Sequence, residues 1–482
     1  MHNKKIFNLL LIPALLVMLT GCKKWLDVKP NDRFTELQAF ENETGVQTVL
    51  NGIYLNLATR NLYGDNLTMG TVEILAQRYN IGTQHSKRTT WAYTYTDAAV
   101  QTVLDNIWTD AYVNIVNINV FLENLNKYNG NWPSRSDSIF RGEAHALRAM
   151  MHFDLLRLWG PMYNTADSVA TSIPYYTKAT KDIMELLPAN EVMNMVGADL
   201  DSAISYLQGD PVRVSGANKA TLGDGLDFYR NRHQRMNYFA ANALKARYLL
   251  YRNNKADAYE VAKQTITDVN KFFAWVVPSS VLSNNDNPDR TFSTELLFGL
   301  YSPTMYNAYR ALFVPTLSDG TILAPSDTRL KAVYETNEND YRFNPSWQLS
   351  NVSSKTYKTF YKYADVVDSK KEFRFLVPMF RKSELYYIAA ECATDTDEKL
   401  SYLNTVRYNR GLTDLVSTAN ITTELAKEYA KEFYGEGQLW YYYKRTNTTR
   451  ILNATTTTST SYVTVNANHY VFPLPLSETS FR

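Results

Sequence analysis

Cysteine is nearly absent: 482 residues hold two, Cys22 and Cys392. Cys22 lies at the end of an N-terminal processing signal, so one thiol remains for the mature chain. A lone thiol excludes an intrachain disulfide framework and any metal site built from four cysteines. An excess of either charge is also missing. Lys and Arg total 50 against 48 Asp and Glu, a formal net charge of +2. That balance gives no electrostatic reason to expect nucleic acid or an anionic membrane surface as a partner. Beyond the N-terminal segment no apolar run reaches transmembrane length. The 19 glycines do not gather into a phosphate-binding loop, and no cofactor motif stands in their place.

Tyrosine is abundant instead, at 35 residues, and aromatics reach 13%. A tyrosine joins a flat apolar face to a hydrogen-bonding tip, so an excess suits wet, polar ligands as well as a core. The N-terminus reads as a processing segment. Lys4 and Lys5 precede an apolar stretch from Ile6 to Leu19, which runs into Leu19-Thr20-Gly21-Cys22. This resembles the bacterial lipoprotein signal, in which residues 1–21 are removed and Cys22 becomes the lipidated first residue. Several acyl chains on one residue hold a protein stably where a single chain does not. Residues 22–33 then read as a tether, and 34–482 as one composite body.

The body is organised around residues 142–164. Ala144, Leu147, Met151, Leu155 and Leu158 recur at three or four residues, which predicts one helix face. Met150, Phe153, Leu156 and Trp159 widen that face to most of the cylinder, so the helix has to be covered on several sides. Gly160-Pro161 ends it. Similar periodicity predicts helices over Phe34 to Leu57, Val100 to Leu125, Val192 to Leu207, Asn237 to Tyr251 and Ala256 to Val269. It predicts further helices over Arg381 to Ala393, Glu398 to Asn409 and the first part of Ile421 to Arg445. Pairs such as Asn237 to Tyr251 with Ala256 to Val269 form helical hairpins of tetratricopeptide type. The tail, 453–476, reads as a hairpin of short strands. The fold class is mainly α: a scaffold of tetratricopeptide-like hairpins, long irregular insertions near 58–100 and 271–380, and a few short β-strands.

Several landmarks then fall in a family's order. They are Cys22 followed by Trp25-Leu26-Asp27 and Pro30, and Asn51-Gly52-Ile53-Tyr54. Next come Glu143 with Leu147-Arg148-Ala149 and Leu158-Trp159-Gly160. After Arg381 to Glu391 come Leu403-Asn404, Val406-Arg407 and Arg410-Gly411-Leu412. Glu436 with Trp440 and Arg445, then Phe472-Pro473-Leu474-Pro475, close the series. Across the whole chain this resembles the SusD/RagB family of Bacteroidetes nutrient-uptake lipoproteins. The sequence departs from the family's habit at Gln438, a place often basic, and at Lys23 and Lys24, where an acidic tract is usual.

The resemblance implies a lipid-anchored outer-membrane protein facing the cell exterior. It implies a nutrient ligand, usually an oligosaccharide, and docking onto a SusC-like TonB-dependent transporter. Some relatives take peptides, and a tetratricopeptide-like scaffold for protein partners is the reading from another class. No enzymatic role is expected, because no motif selects a pair of carboxylates from the many a chain of this size contains.

A sugar ring offers C–H groups on its faces and hydroxyls at its rim. A binding platform therefore needs exposed aromatics among polar neighbours, on loops held by a rigid scaffold. Arg78, Tyr79, Asn80, Trp91, Tyr93 and Tyr95 in the first insertion fit, as do Tyr301, Tyr306, Tyr309 and Arg310 in the second. Trp91 is the leading expectation. No metal site is expected: His145 and His152 lie about 10 Å apart along a helix. They read as polar partners on its less buried side, with Arg141 and Arg148. Asn284 to Asp289 reads as a turn rather than a calcium loop.

Overall fold

The computed structural model describes residues 35–164, 166–217, 227–283, 286–455 and 460–482. Cys22, the signal and the tether lie outside the described residues, as does Asn284. The protein is mainly helical. The principal helices are α1 (Glu43–Leu57), α2 (Ala98–Lys127), α3 (Ser134–Trp159), α4 (Ala189–Tyr206), α5 (Tyr238–Tyr251), α6 (Lys255–Val269) and α7 (Met305–Leu312). α8 (Lys382–Cys392), α9 (Thr396–Tyr408), α10 (Ile421–Glu432) and α11 (Gln438–Arg445) follow. Among the described residues three antiparallel strand pairs accompany them: β1 (Leu296–Tyr301) with β4 (Leu376–Arg381), β2 (Trp347–Gln348) with β3 (Thr359–Phe360), and β5 (Arg450–Leu452) with β6 (Tyr462–Thr464). Among the described residues no helix is long and apolar enough to cross a membrane.

α3 is the central rod, and every residue from Ala146 to Trp159 on it is buried. α4 packs along it most extensively, with α2 and α1 on other sides. Close approach of the next element depends on Gly142, since a Cβ there would lie 2.5 Å from Leu207 Cγ. α5 pairs with α6 and α8 with α9, and α6 packs on α8, so the two hairpins stack. Asn254 caps α6 and Asp395 caps α9 through side-chain oxygens, which fixes where each return helix begins. Buried apolar residues from Phe40 to Phe472 make one large contiguous core, beside a small separate cluster of Val276, Val281 and Phe292.

Most sequence-based boundaries hold to within a few residues, but α3 begins at Ser134 rather than near 142. The strand pair expected over 453–476 lies at 450–452 and 462–464, ahead of a helical turn at Ala467–Tyr470. Three further features differ. The first expected helix is broken at Phe40, where Asn42 caps a fresh start. The expected run over 421–445 is interrupted at Gly435 and Gly437, both with positive φ. At Gly437 a Cβ would meet the Leu67 carbonyl oxygen at 2.4 Å, so both backbone conformation and space favour glycine. Third, α3 has no less buried side for Arg148 and His152. Arg148 and His152 lie in the interior; His145 is half-buried.

The interior is also strongly ionic. Arg148 forms a fork on Asp199 at 2.7 and 2.6 Å, and Tyr175 donates to the same carboxylate at 2.6 Å. Glu143 accepts from Tyr54, Arg232 and Arg235. Arg410 bridges Glu295 and Glu432 at 2.6 Å each, Arg342 spans Asp340, Glu428 and Glu432, and Arg381 is forked on Glu436. These are the polar landmarks of the sequence, and their role here is structural. Each of these charges has a counter-charge, as a low-dielectric interior favours, whereas the buried Lys382 and Lys444 donate to backbone carbonyls instead.

Candidate functional site

The two irregular insertions meet. Asn80 N–H donates to the Ala324 carbonyl at 2.8 Å, and Ser86 N–H to the Gly320 carbonyl at 2.9 Å. A ring nitrogen of His85 lies 3.2 Å from the Ile322 carbonyl. Residues 80–86 therefore run beside 320–324. The juxtaposition expected of a composite platform is present, but most of the expected aromatics are turned inward.

Arg78 and Tyr79 are fully buried. Arg78 pairs with Glu73, donates to the Ala430 carbonyl and lies 3.7 Å over the Tyr434 ring. Tyr79 donates to the Met69 carbonyl at 2.8 Å. Trp91 is 8% exposed, and the Arg88 guanidinium covers its ring at 3.9 Å. Tyr93, at positive φ, is sandwiched between His469 at 4.7 Å and Trp440 at 5.9 Å. The half-buried Tyr95 donates to the His469 carbonyl and packs on Phe472. The expectation that Trp91 and Tyr93 offer open faces is therefore corrected. The chain's tail, residues 466–472, and Arg88 occupy the surfaces a sugar would need. Asn80 is exposed, but no aromatic of this insertion joins it at the surface.

The second insertion buries most of its aromatics too, but keeps Tyr301 exposed and Tyr306 and Phe375 half-buried. β1 ends at Tyr301, which is 42% exposed. Its register on β4 sets Tyr301 opposite Leu376, immediately after Phe375. Phe375 has φ 64, the left-handed region that a bulky residue enters only under constraint. Its ring packs against Tyr301 at 5.6 Å and Tyr306 at 4.6 Å. The Arg374 guanidinium covers Phe375 at 4.8 Å and is forked on Asp365 at 2.8 Å for both bonds. Burial would raise the Asp365 carboxyl, yet bonds from Arg374 and the Val366 N–H hold it below its ordinary value. Burial, reinforced by the bond to Asp365, pushes the Tyr306 hydroxyl up, so it stays a neutral donor. Tyr309 is mostly covered, beside Tyr361 at 6.5 Å, whereas Arg310 is exposed. The result is a ridge of Tyr301, Phe375 and Tyr306 with a fixed guanidinium on its flank.

Tyr301 also forms one wall of a cleft of about 460 Å³. Tyr54 and Phe228 line it with four amides, Gln47, Asn51, Asn231 and Gln234, and with Arg235. Gln47 and Asn51 stand one turn apart on the outward side of α1. Arg235 is held by Glu143 and by Asn51 Oδ1 at 2.7 Å, and its Nη2 is buried without a partner. Aromatic faces beside several amides and a guanidinium match the two surfaces of a sugar. Sequence reasoning missed Arg374, Phe375 and the amides. The alternation Phe373-Arg374-Phe375 ahead of a strand was an available signal. The amides carried none, since an outward Gln and Asn on a helix look like any solvated face.

Comparison with known proteins agrees with this architecture. The profile of a family described as starch-binding and associating with the outer membrane matches residues 24–220. That of the SusD family matches residues 256–480. The chain belongs to the SusD family. A SusD superfamily protein from Bacteroides thetaiotaomicron superposes with a TM-score of 0.71 at 20% identity, covering 91% of this chain and 98% of the other. A SusD-like carbohydrate binding protein from Bacteroides vulgatus gives 0.66 at 16% identity, covering 91% and 96%. Surface glycan-binding protein A from Bacteroides fluxus gives 0.64 at 19%, again covering 91% and 96%. At these identities the structures carry the SusD fold and not the ligand. No curated protein matches the chain by sequence.

Proposed function

We propose that this SusD-family protein is a nutrient-binding lipoprotein that holds an oligosaccharide on the Tyr301 ridge and its amide-lined cleft. The observation that carries the reading is the continuity of the two: the exposed ring of Tyr301 belongs both to the ridge and to the wall of a 460 Å³ cleft lined by four amides and by Arg230 and Arg235. The similarity to a carbohydrate binding protein and to a surface glycan-binding protein supports the same ligand class. The protein binds and does not cleave. The interior carboxylates of Glu428 and Glu432 are already bonded to Arg342, Arg407 and Arg410.

Cys22 carries the lipid, residues 22–33 tether the body to the outer membrane, and a SusC-like TonB-dependent transporter receives the ligand. The scaffold reading has less support, because α5 and α8 bury most of their side chains in the core. A glycan array probed with the processed protein tests the ligand class. Retention of neutral oligosaccharides is expected; retention of peptides alone would replace the reading. Mass spectrometry of the mature N-terminus should find acylated Cys22. Pull-down of the lipidated protein from its own membranes in mild detergent should recover a transporter barrel.

A further inference from the structure

A larger cleft lies elsewhere, where the helical hairpins turn. It measures about 940 Å³ and shares no lining residue with the cleft at Tyr301. The ends of α5, α8 and α11 and the starts of α4, α6 and α10 surround it. Positive and negative helix ends therefore alternate, and their dipoles largely offset one another. The side chains decide the sign.

Those side chains are cationic. Arg252, Lys255, Lys399 and Arg445 line the cleft against one carboxylate, Glu391. Arg445 is forked on Glu391 at 2.6 and 2.8 Å, and Lys255 stands 3.9 Å from the same group. Arg252 spends its donors on neutral acceptors, Tyr248 at 2.8 Å and Asn194 at 2.7 Å. Lys399 has no carboxylate partner among the described residues. One acid thus faces four bases and pairs with two of them, an excess the balanced composition of the whole chain does not foreshadow. Two polar atoms in the wall also lack partners: the Tyr251 hydroxyl, on a residue 4% exposed, and Asn190 Oδ1. An unpaired buried polar group is costly unless a ligand or water completes it. Tyr163 and Tyr442 add ring surface, and Asn164, Asn253, Thr422 and Thr446 add neutral donors and acceptors.

We infer that this cleft is a second ligand site, for an oligosaccharide bearing carboxylates. The cations would meet the carboxylates, the amides and hydroxyls the sugar hydroxyls, and the tyrosine rings the sugar faces. Its volume lies within the usual range for small-ligand sites.

Calorimetry of the processed protein with a galacturonic acid hexamer tests the site. Controls are a neutral glucose hexamer and a glutamate hexapeptide. The galacturonate hexamer should bind, and more weakly as salt is raised. The double substitution Lys255→Ala and Lys399→Ala should weaken it at least tenfold. Both side chains reach solvent, so the fold is expected to survive, and an unchanged Tm checks that. Tyr301→Ala should leave galacturonate binding intact. Absence of galacturonate binding, full affinity in the double variant, loss on Tyr301→Ala, or equal binding of the hexapeptide would each overturn the assignment. Binding of the neutral hexamer reports separately on the Tyr301 site, so the two readings can fail independently.

Discussion

Three aromatic residues separate packing from recognition. Trp91 is covered by Arg88 and sits in the core, so Trp91→Ala leaves a cavity. A loss of about 3–5 kcal/mol is expected, read as a lower Tm or denaturation midpoint. Tyr301, with much of its ring in solvent, should tolerate Ala with little change in stability. Tyr93 shows why sequence could not tell these apart. Its exposure is decided by His469 and Trp440, more than 340 positions along the chain. A polar neighbourhood in sequence marked Trp91 and Tyr93 as open; a distant tail closes over Tyr93. His152 is a fourth informative residue. Its Nδ1 lies 3.0 Å from the Arg148 carbonyl, and Nε2 accepts the Tyr176 N–H at 3.1 Å. One nitrogen must donate and the other accept, which fixes a neutral ring. Burial holds its pKa down at about 3. Imidazole resonances titrated by NMR should show His152 still neutral at pH 5; a charged ring there would contradict the assigned tautomer.

At the level of elements the sequence was largely readable. Helices such as α2 and α6 bury a face at regular spacing, and the Asp97 and Asn254 caps mark their starts, so pattern and structure coincide. Where the reading failed, the cause was tertiary. α3 begins at Ser134, well before the apolar stripe that announced it. Its charged residues are interior because Asp199 on α4 and Arg232 on a distant turn arrive to pair them. Periodicity reports which positions are apolar and is silent about which polar positions will find partners. The site suffered similarly, since the ridge depends on Phe375 folding back beside Tyr301. Leu147, buried on α3, tests the placement of the core. Leu147→Asp would put an unpaired charge in a packed interior, and a loss above about 4 kcal/mol is expected. Unchanged thermal unfolding would show that α3 is not the central rod.

For the whole molecule, the buried charges make stability depend on acid. Burial opposes the charged form of Glu428, but Arg342, Lys431 and Arg407 outweigh it and hold the carboxyl at about 2. Glu432 is lowered well below its ordinary value by Arg410 and Arg342. An unfolded glutamate titrates near about 4.3 and an unfolded histidine near about 6.5. The native state thus binds fewer protons than the unfolded chain once pH falls below either value. The contribution of His152 is complete above about pH 6.5 and is lost as pH falls toward 3. That of Glu428 is complete above about pH 4.3 and is lost toward 2. Each proton steepens the fall by about 1.4 kcal/mol per pH unit. Denaturation midpoints from pH 7 to pH 3 should therefore decline, more steeply below pH 4.5; a flat profile would mean these pairs are not formed.

The central claim is that a neutral oligosaccharide lies across the Tyr301 ridge. Its most direct test is calorimetry of one neutral oligosaccharide on the parent and on Tyr301→Ala, at low and high salt. Loss of one stacking face should cost about 1–3 kcal/mol, by analogy with bases on aromatic rings, which is roughly ten- to a hundredfold in affinity. The parent should respond little to salt, since stacking and neutral hydrogen bonds are not screened as ion pairs are. Equal affinity in the parent and in a folded Tyr301→Ala protein would contradict the claim.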